Sequence, residues 1–205
     1  MFEDKDRHYK TLMSQYRMAQ DDSTREVVRQ EIWDTFGQKK VTLVTDMSDF
    51  TYLSHQYGSV HYLSMIEMMK EVVIEVVEAH KGIVVKCEAD NTFCIFDDPN
   101  LAVEASVAIN KELLHKNKTL EEKFHVTLSC GIACGTILLL EDDIFGRSVI
   151  IASKLGEDIA TKSEILVSQS CVDRMDFTSY FSGKMTSLEV SKVKMDCFYI
   201  EIPTL

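Results

Sequence analysis

Val41-Thr-Leu-Val-Thr-Asp-Met-Ser-Asp-Phe-Thr51 and Gly82-Ile-Val-Val-Lys-Cys-Glu-Ala-Asp-Asn-Thr-Phe-Cys-Ile-Phe96 carry the decision about the fold. In each, a β-branched apolar run stops at an aspartate: Asp46 closes the first run and Asp90 sits at the tip of the second. Alternating Val, Thr and Leu predict a buried strand, and Glu88-Ala-Asp-Asn91 between two apolar runs predicts a tight hairpin. If the strand ending at Asp46 pairs antiparallel with the strand after Asp90, both carboxylates meet at one sheet edge. Hard oxygen donors so placed suit Mg²⁺ or Mn²⁺ and, through the metal, a triphosphate. Each aspartate taken alone is also an ordinary turn former.

Helix and strand patterns alternate on both sides of this pair. Leu63, Ile66, Met69, Val73, Val76 and Val77 recur at three and four residues, predicting a helix from Val60 to His80 that Gly82 ends. The methionine stripe Met65, Met68 and Met69 fits a core or a dimer surface. A helix from about Asn100 to Lys116, a strand pair across Phe124–Leu140, a helix over Val149–Thr161 and a strand over Glu164–Ser168 follow. The last run, Lys194–Pro203, alternates like an edge strand. The order β-α-β-β-α-β with additions reads as an α+β fold, a ferredoxin-like antiparallel sheet covered by helices on one face.

Residues 1–38 form a separate, polar, helix-prone segment, and residues 39–205 the main domain. Ser23-Thr-Arg-Glu26 has the form of a capping box opening a helix through Trp33 to Phe36, and Gly37-Gln-Lys-Lys40 reads as a break before the first strand. Val27, Val28, Ile32, Trp33 and Phe36 lie at helical spacing and need covering. Packing on the domain is therefore favoured over extending a dimer interface or relaying a partner's signal.

Of the 205 residues 45% are hydrophobic, enough for one domain with a sizeable core plus an appendage. The formal net charge of −11 argues against a duplex nucleic-acid partner and against an anionic membrane surface. No charged-then-apolar leader opens the chain and no apolar run approaches bilayer length, so neither export nor membrane insertion is expected and a cytoplasmic location is the default. Six cysteines lie mostly in apolar stretches without a Cys-x-x-Cys pair, and are expected as buried free thiols in a reducing compartment. The six histidines are scattered and form no His-Glu-x-x-His motif.

A third segment, Asp143-Ile-Phe-Gly-Arg-Ser-Val-Ile-Ile-Ala-Ser-Lys-Leu-Gly-Glu-Asp158, preceded by Gly131-Ile-Ala-Cys-Gly135, completes a set. With all three in this order and spacing, the chain from about Lys39 onward resembles the class III nucleotidyl cyclase catalytic domain. That resemblance implies the class III cyclase fold and conversion of ATP to cyclic AMP and pyrophosphate in intracellular signal transduction. It implies two Mg²⁺ or Mn²⁺ ions per site and a homodimer with sites at its interface. Asp46 and Asp90 correspond to the metal-binding aspartates, Met47 adds a metal contact, and Phe50 and Thr51 belong to the loop that cradles phosphates. Lys86 and Asp143 match the adenine-reading donor and acceptor, where guanine readers carry Glu and Cys. Adenine presents a ring-nitrogen acceptor and an amine donor, so a Lys–Asp pair is complementary to it. Outside that spacing, Lys86 reads as a snorkelling strand lysine and Asp143 as one of several exposed acids. The partner chain is expected to supply Lys86, Asp143 and Lys154 to the site holding Asp46 and Asp90.

Departures from the family pattern are equally specific. Ile150 stands where an Asn orients the ribose, and Lys154 stands where an Arg bridges phosphates, keeping the charge without the bidentate fork. Two glycines of the pattern are replaced, by Asp49 before Phe50-Thr51 and by Ala89 before Asp90. A further phosphate-binding lysine falls at Lys192 or Lys194. These changes leave open a weak or silent cyclase-homology module that dimerises or binds nucleotide. A diguanylate cyclase, which shares the general sheet architecture, is not expected, because Cys87-Glu-Ala-Asp-Asn91 is not the Gly-Gly-(Asp/Glu)-Glu-Phe hairpin that class requires.

Overall fold

The computed structural model describes residues 2–176, 183–190 and 193–200. Two N-terminal helices, α1 (Phe2–Met18) and α2 (Asp22–Phe36), lead directly into β1 (Gly37–Met47). Helices α3 (Phe50–Tyr57) and α4 (Ser59–Ala79) follow, then the hairpin β2 (Ile83–Glu88) and β3 (Asn91–Phe96), and helix α5 (Pro99–Asn117). A 3₁₀ turn at Glu122–Phe124 precedes β4 (Leu128–Leu139), which turns into the short β5 (Ile144–Phe145). Helix α6 (Arg147–Ser153) runs on as a π-helical segment over Lys154–Ile159, and β6 (Ile165–Ser168), α7 (Gln169–Val172), β7 (Gly183–Val190) and β8 (Val193–Ile200) complete the described residues.

These strands form one sheet of order β2-β3-β1-β4-β6-β8-β7, with β5 paired to β4. Within it, β4-β1-β3-β2 is the all-antiparallel ferredoxin-like core expected from the β-α-β-β-α-β order. The β4–β6 pair is parallel, so the extended sheet is mixed. Odd residues of β1 (Val41, Leu43, Met47) join Cys94, Phe96 and the inward stripes of α4 and α5, notably Met65, Met69, Val73 and Ile109. Because side chains alternate across a strand, Val44 faces the other way, where Phe93, Ile95, Ala133 and Ile137 pack under Val149 and Ala152 of α6. Helical cover therefore exists on both faces, not on one. The periodicity of α6 was too short to declare which face it serves.

Other local expectations are corrected. The N-cap of α2 is Asp21, whose carboxylate accepts the Thr24 N–H at 2.7 Å; an ionised carboxylate is the stronger acceptor, and Ser23 lies inside the helix. Gly37–Lys40 is no break, because those residues pair with Thr136–Leu138 and Gly135 of β4. The expected strand pair across Phe124–Leu140 is one long strand, β4, whose hairpin partner is β5. The Val149–Thr161 helix starts two residues early and widens to π geometry at Lys154. The expected edge strand is internal: β8 lies between β6 and β7, so pairing on both sides satisfies its backbone. Residues 201–205 and Lys192 lie outside the described residues, and of Lys194 only the strand backbone is described.

The N-terminal helices do pack on the domain. Leu12, Val28, Ile32 and Phe36 bury themselves with Leu138 of β4, each buried side chain contributing about 1.5–3 kcal/mol against its exposed state. Val27, expected in that stripe, is 68% exposed, and Leu63 of α4 is half exposed. Cys134 and Cys171 form a disulfide with Cα atoms 5.0 Å apart, contrary to the all-thiol expectation. The pairing joins β4 to α7 across 37 residues, which spacing alone could not disclose. Cys87, Cys94, Cys130 and Cys197 are free thiols.

Candidate active site

Asp46 lies next to last on β1, opposite Asn91, the residue after Asp90. The antiparallel register thus brings both aspartates to one sheet edge, as expected. Burial first, then repulsion from Asp90, Glu157 and Asp158, raises the Asp46 carboxyl from 3.8 to about 7. Burial also raises Asp90. Met47 directs its side chain into the main core, leaving its backbone at the strand end.

The π-helical segment supplies two acids that motif reading passed over. A Cβ on Gly131 would meet Ala152 O at 2.0 Å and Gly156 N at 2.4 Å, so only glycine lets this segment lie directly on β4. Ser129 Oγ donates to Gly156 O at 2.8 Å and lies 3.3 Å from Asp46 O, tying the segment to the end of β1. This contact holds Glu157 and Asp158 beside Asp46, and burial raises the Glu157 carboxyl too. The two glycines, Gly131 and Gly156, were the available signal, because paired glycines mark a close backbone approach.

Asp49 and Ala89, which replace glycines of the family pattern, both adopt left-handed backbone, with φ of 64° and 50°. The turns have kept the glycine geometry without the glycine, at a cost of roughly 1 kcal/mol or more for Ala89 and less for Asp49. Asp49 makes no side-chain capping bond to α3, and its carboxylate lies 3.9 Å from Lys162 Nζ. Phe50 packs edge-on against Tyr62 at 5.3 Å, while Thr51 is exposed in the first turn of α3.

Lys86 and Asp143, far apart in sequence, are brought together. Lys86 Nζ lies 2.8 Å from Asp143 Oδ1, 2.8 Å from Glu88 Oε1, and 4.7 Å from the centre of the Phe93 ring. Burial alone would lower the ammonium's pKa, but the two carboxylates outweigh it and raise it. Asp143 is anchored by the Ile144 N–H at 2.8 Å. Ile150 is 62% exposed on α6. Lys154 is engaged by Asp158 one turn on, which raises its pKa. Among the described residues, no ion pair or hydrogen bond joins Asp46 or Asp90 to Lys86 or Asp143.

Comparison with known proteins gives a consistent result. No protein-family model matches the chain. An adenylate cyclase of Streptomyces coelicolor is 28% identical over 130 residues, 63% of this chain and 32% of the relative. A putative adenylate cyclase 3 of Rhizobium meliloti is 30% identical over 110 residues, 54% of this chain and 18% of the relative. The matched region thus spans about a third of the first relative and under a fifth of the second. The adenylyl cyclase CyaB from P. aeruginosa superposes with TM-score 0.68 at 17% identity, covering 80% of this chain and 95% of that one. An adenylate/guanylate cyclase/hydrolase from Silicibacter pomeroyi gives TM-score 0.68 at 20% identity, covering 80% and 96%. A bacterial light-regulated adenylyl cyclase gives 0.70 at 14%, covering 81% and 52%. The chain thus has the α+β fold of class III adenylate/guanylate cyclase catalytic domains and is similar in sequence, over 54–63% of its length, to two adenylate cyclases.

Proposed function

We propose that residues 39–205 act as the catalytic domain of a homodimeric adenylate cyclase, forming cyclic AMP and pyrophosphate from ATP in intracellular signalling, with residues 1–38 as a helical segment docked on it. The observation that carries this reading is the Asp46–Asp90 pair. Two carboxylates short of solvation and repelling one another gain from a divalent cation. The donors fit Mg²⁺ or Mn²⁺, because both are hard carboxylate oxygens of the kind these ions prefer. Asp46 and Asp90, with the Met47 backbone, would hold two such ions, which when bound neutralise the triphosphate and ease loss of the ribose 3′-hydroxyl proton.

The remaining residues bind and orient. Lys86 donates to the adenine ring nitrogen and Asp143 accepts from its exocyclic amine, an assignment supported by their mutual contact. The first turn of α3, at Phe50 and Thr51, offers backbone N–H groups to phosphate oxygens. Lys154 of the partner adds positive charge to the phosphates, and Ile150 lines the ribose side without a hydrogen bond. Since Lys86 lies four residues before Asp90, each chain contributes to both sites and a monomer is silent. Incubating the protein with Mn²⁺ and each of ATP, GTP, CTP and UTP, then identifying products by mass, tests this. Cyclic AMP from ATP, lost in Asp46→Ala, is expected; a different cyclic nucleotide overturns the base assignment.

A second reading, a silent nucleotide-binding module, is favoured by two observations: the Asp49 carboxylate at the phosphate loop and the apolar Ile150 at the ribose position. ATP binding without product from any triphosphate selects it.

A further inference from the structure

The donor at the base pocket is already occupied. An ammonium has three N–H groups, and Lys86 gives two to Asp143 and Glu88, at 2.8 Å each, while lying over the Phe93 ring. The lysine side chain is only 19% exposed, so water does not freely replace either acceptor. The acceptors are unequal. Asp143 is 28% exposed and is also held by the Ile144 N–H. Glu88 is 61% exposed, and among the described residues Lys86 is its one hydrogen-bond or ion-pair partner.

We propose that Glu88 is a specificity-determining residue that competes with the purine for Lys86. This rests on the base-reading role proposed above for Lys86 and Asp143. Asp143 must stay to accept from the exocyclic amine, so the adenine ring nitrogen takes the N–H that Glu88 vacates. The Glu88 side chain can leave, since it ends an edge strand and, among the described residues, has no other hydrogen-bond or ion-pair partner. Adenine therefore binds against an internal competitor, and removing the Glu88 charge strengthens binding. Guanine presents an N–H at the same ring position, which cannot accept from the freed ammonium, so relief favours adenine.

The test is a binding cycle on the dimer, with calorimetry of 3′-deoxy-ATP and 3′-deoxy-GTP in Mn²⁺; neither analogue can cyclise. Glu88→Ala and Glu88→Gln are expected to tighten 3′-deoxy-ATP by roughly 2- to 5-fold, the range of a partly exposed ion pair, and to leave 3′-deoxy-GTP unimproved. In a Lys86→Ala background, which itself weakens 3′-deoxy-ATP, Glu88→Ala should have no effect. Unchanged or weaker 3′-deoxy-ATP binding in Glu88→Ala, or equal tightening with and without Lys86, overturns the competition while leaving the base pocket standing. If Lys86→Ala does not weaken 3′-deoxy-ATP, the base-pocket assignment and the competition fall together.

Discussion

Replacing Asp46 by asparagine removes one charge from the most crowded acidic corner of the fold, where Asp90, Glu157 and Asp158 all act on it. Its carboxyl titrates near 3.8 in an unfolded chain and at about 7 in the folded one, so between those values the folded state holds a proton that the unfolded state has lost. The contribution of Asp46 to the stability of the metal-free protein is accordingly most favourable below about pH 4, falls as pH rises toward 7, and levels off above. At about 1.4 kcal/mol per factor of ten the ceiling is ~4 kcal/mol. The group is only half buried and water screens it, which brings the expected cost to about 1–2 kcal/mol. Asp46→Asn should remove that cost and raise Tm in EDTA at pH 8 by roughly 3–6 °C for a chain of this size. At pH 4.5 the gain should shrink to about a quarter of that, and excess Mn²⁺ at pH 8 should favour the parent instead. Thermal melts by circular dichroism across this pH range decide the matter. A difference that is constant with pH, or a variant less stable at pH 8, refutes the account of a desolvated carboxylate repelled by its neighbours.

Ala89→Gly should stabilise the protein by about 1 kcal/mol, because the left-handed turn before Asp90 suits glycine; a lower denaturation midpoint would contradict that geometry. Mixing inactive Asp90→Ala chains with inactive Lys154→Ala chains should restore partial activity through a heterodimer with one intact site, and failure of rescue in demonstrated heterodimers would refute shared sites. Ile150→Asn costs the fold little, since the side chain is largely exposed, and should raise kcat at least about tenfold with KM nearly unchanged. Adding Lys154→Arg should raise it further; a folded, dimeric double variant that makes no cyclic nucleotide would point to Asp49 and to the silent module.

The carboxylate edge was legible because both aspartates end β-branched runs, and a strand–hairpin pairing has few registers that keep one face buried. The meeting of Lys86 with Asp143 was legible only through family spacing, since no local pattern joins an edge strand to a hairpin turn 57 residues later. Glu157 and Asp158 looked like a charged helix end; their place beside Asp46 depends on the approach of Gly156 to Gly131, a tertiary fact. The Cys134–Cys171 bond was hidden for the same reason. The internal position of β8 escaped because alternation reports which faces are covered and says nothing about how many edges are paired.

β1 begins one residue after Phe36, the last residue of α2, and reaches Asp46 without interruption. At about 3.3 Å per residue it is a strut of roughly 30 Å joining the docked N-terminal helices to the carboxylate edge. It is hydrogen-bonded to β4 from Gly37 to Met47 and to β3 from Val41 to Asp46, and no glycine-rich hinge separates its two ends. One continuous strand therefore has the docked helices at its first residue and the carboxylate pair at its last turn of pleat.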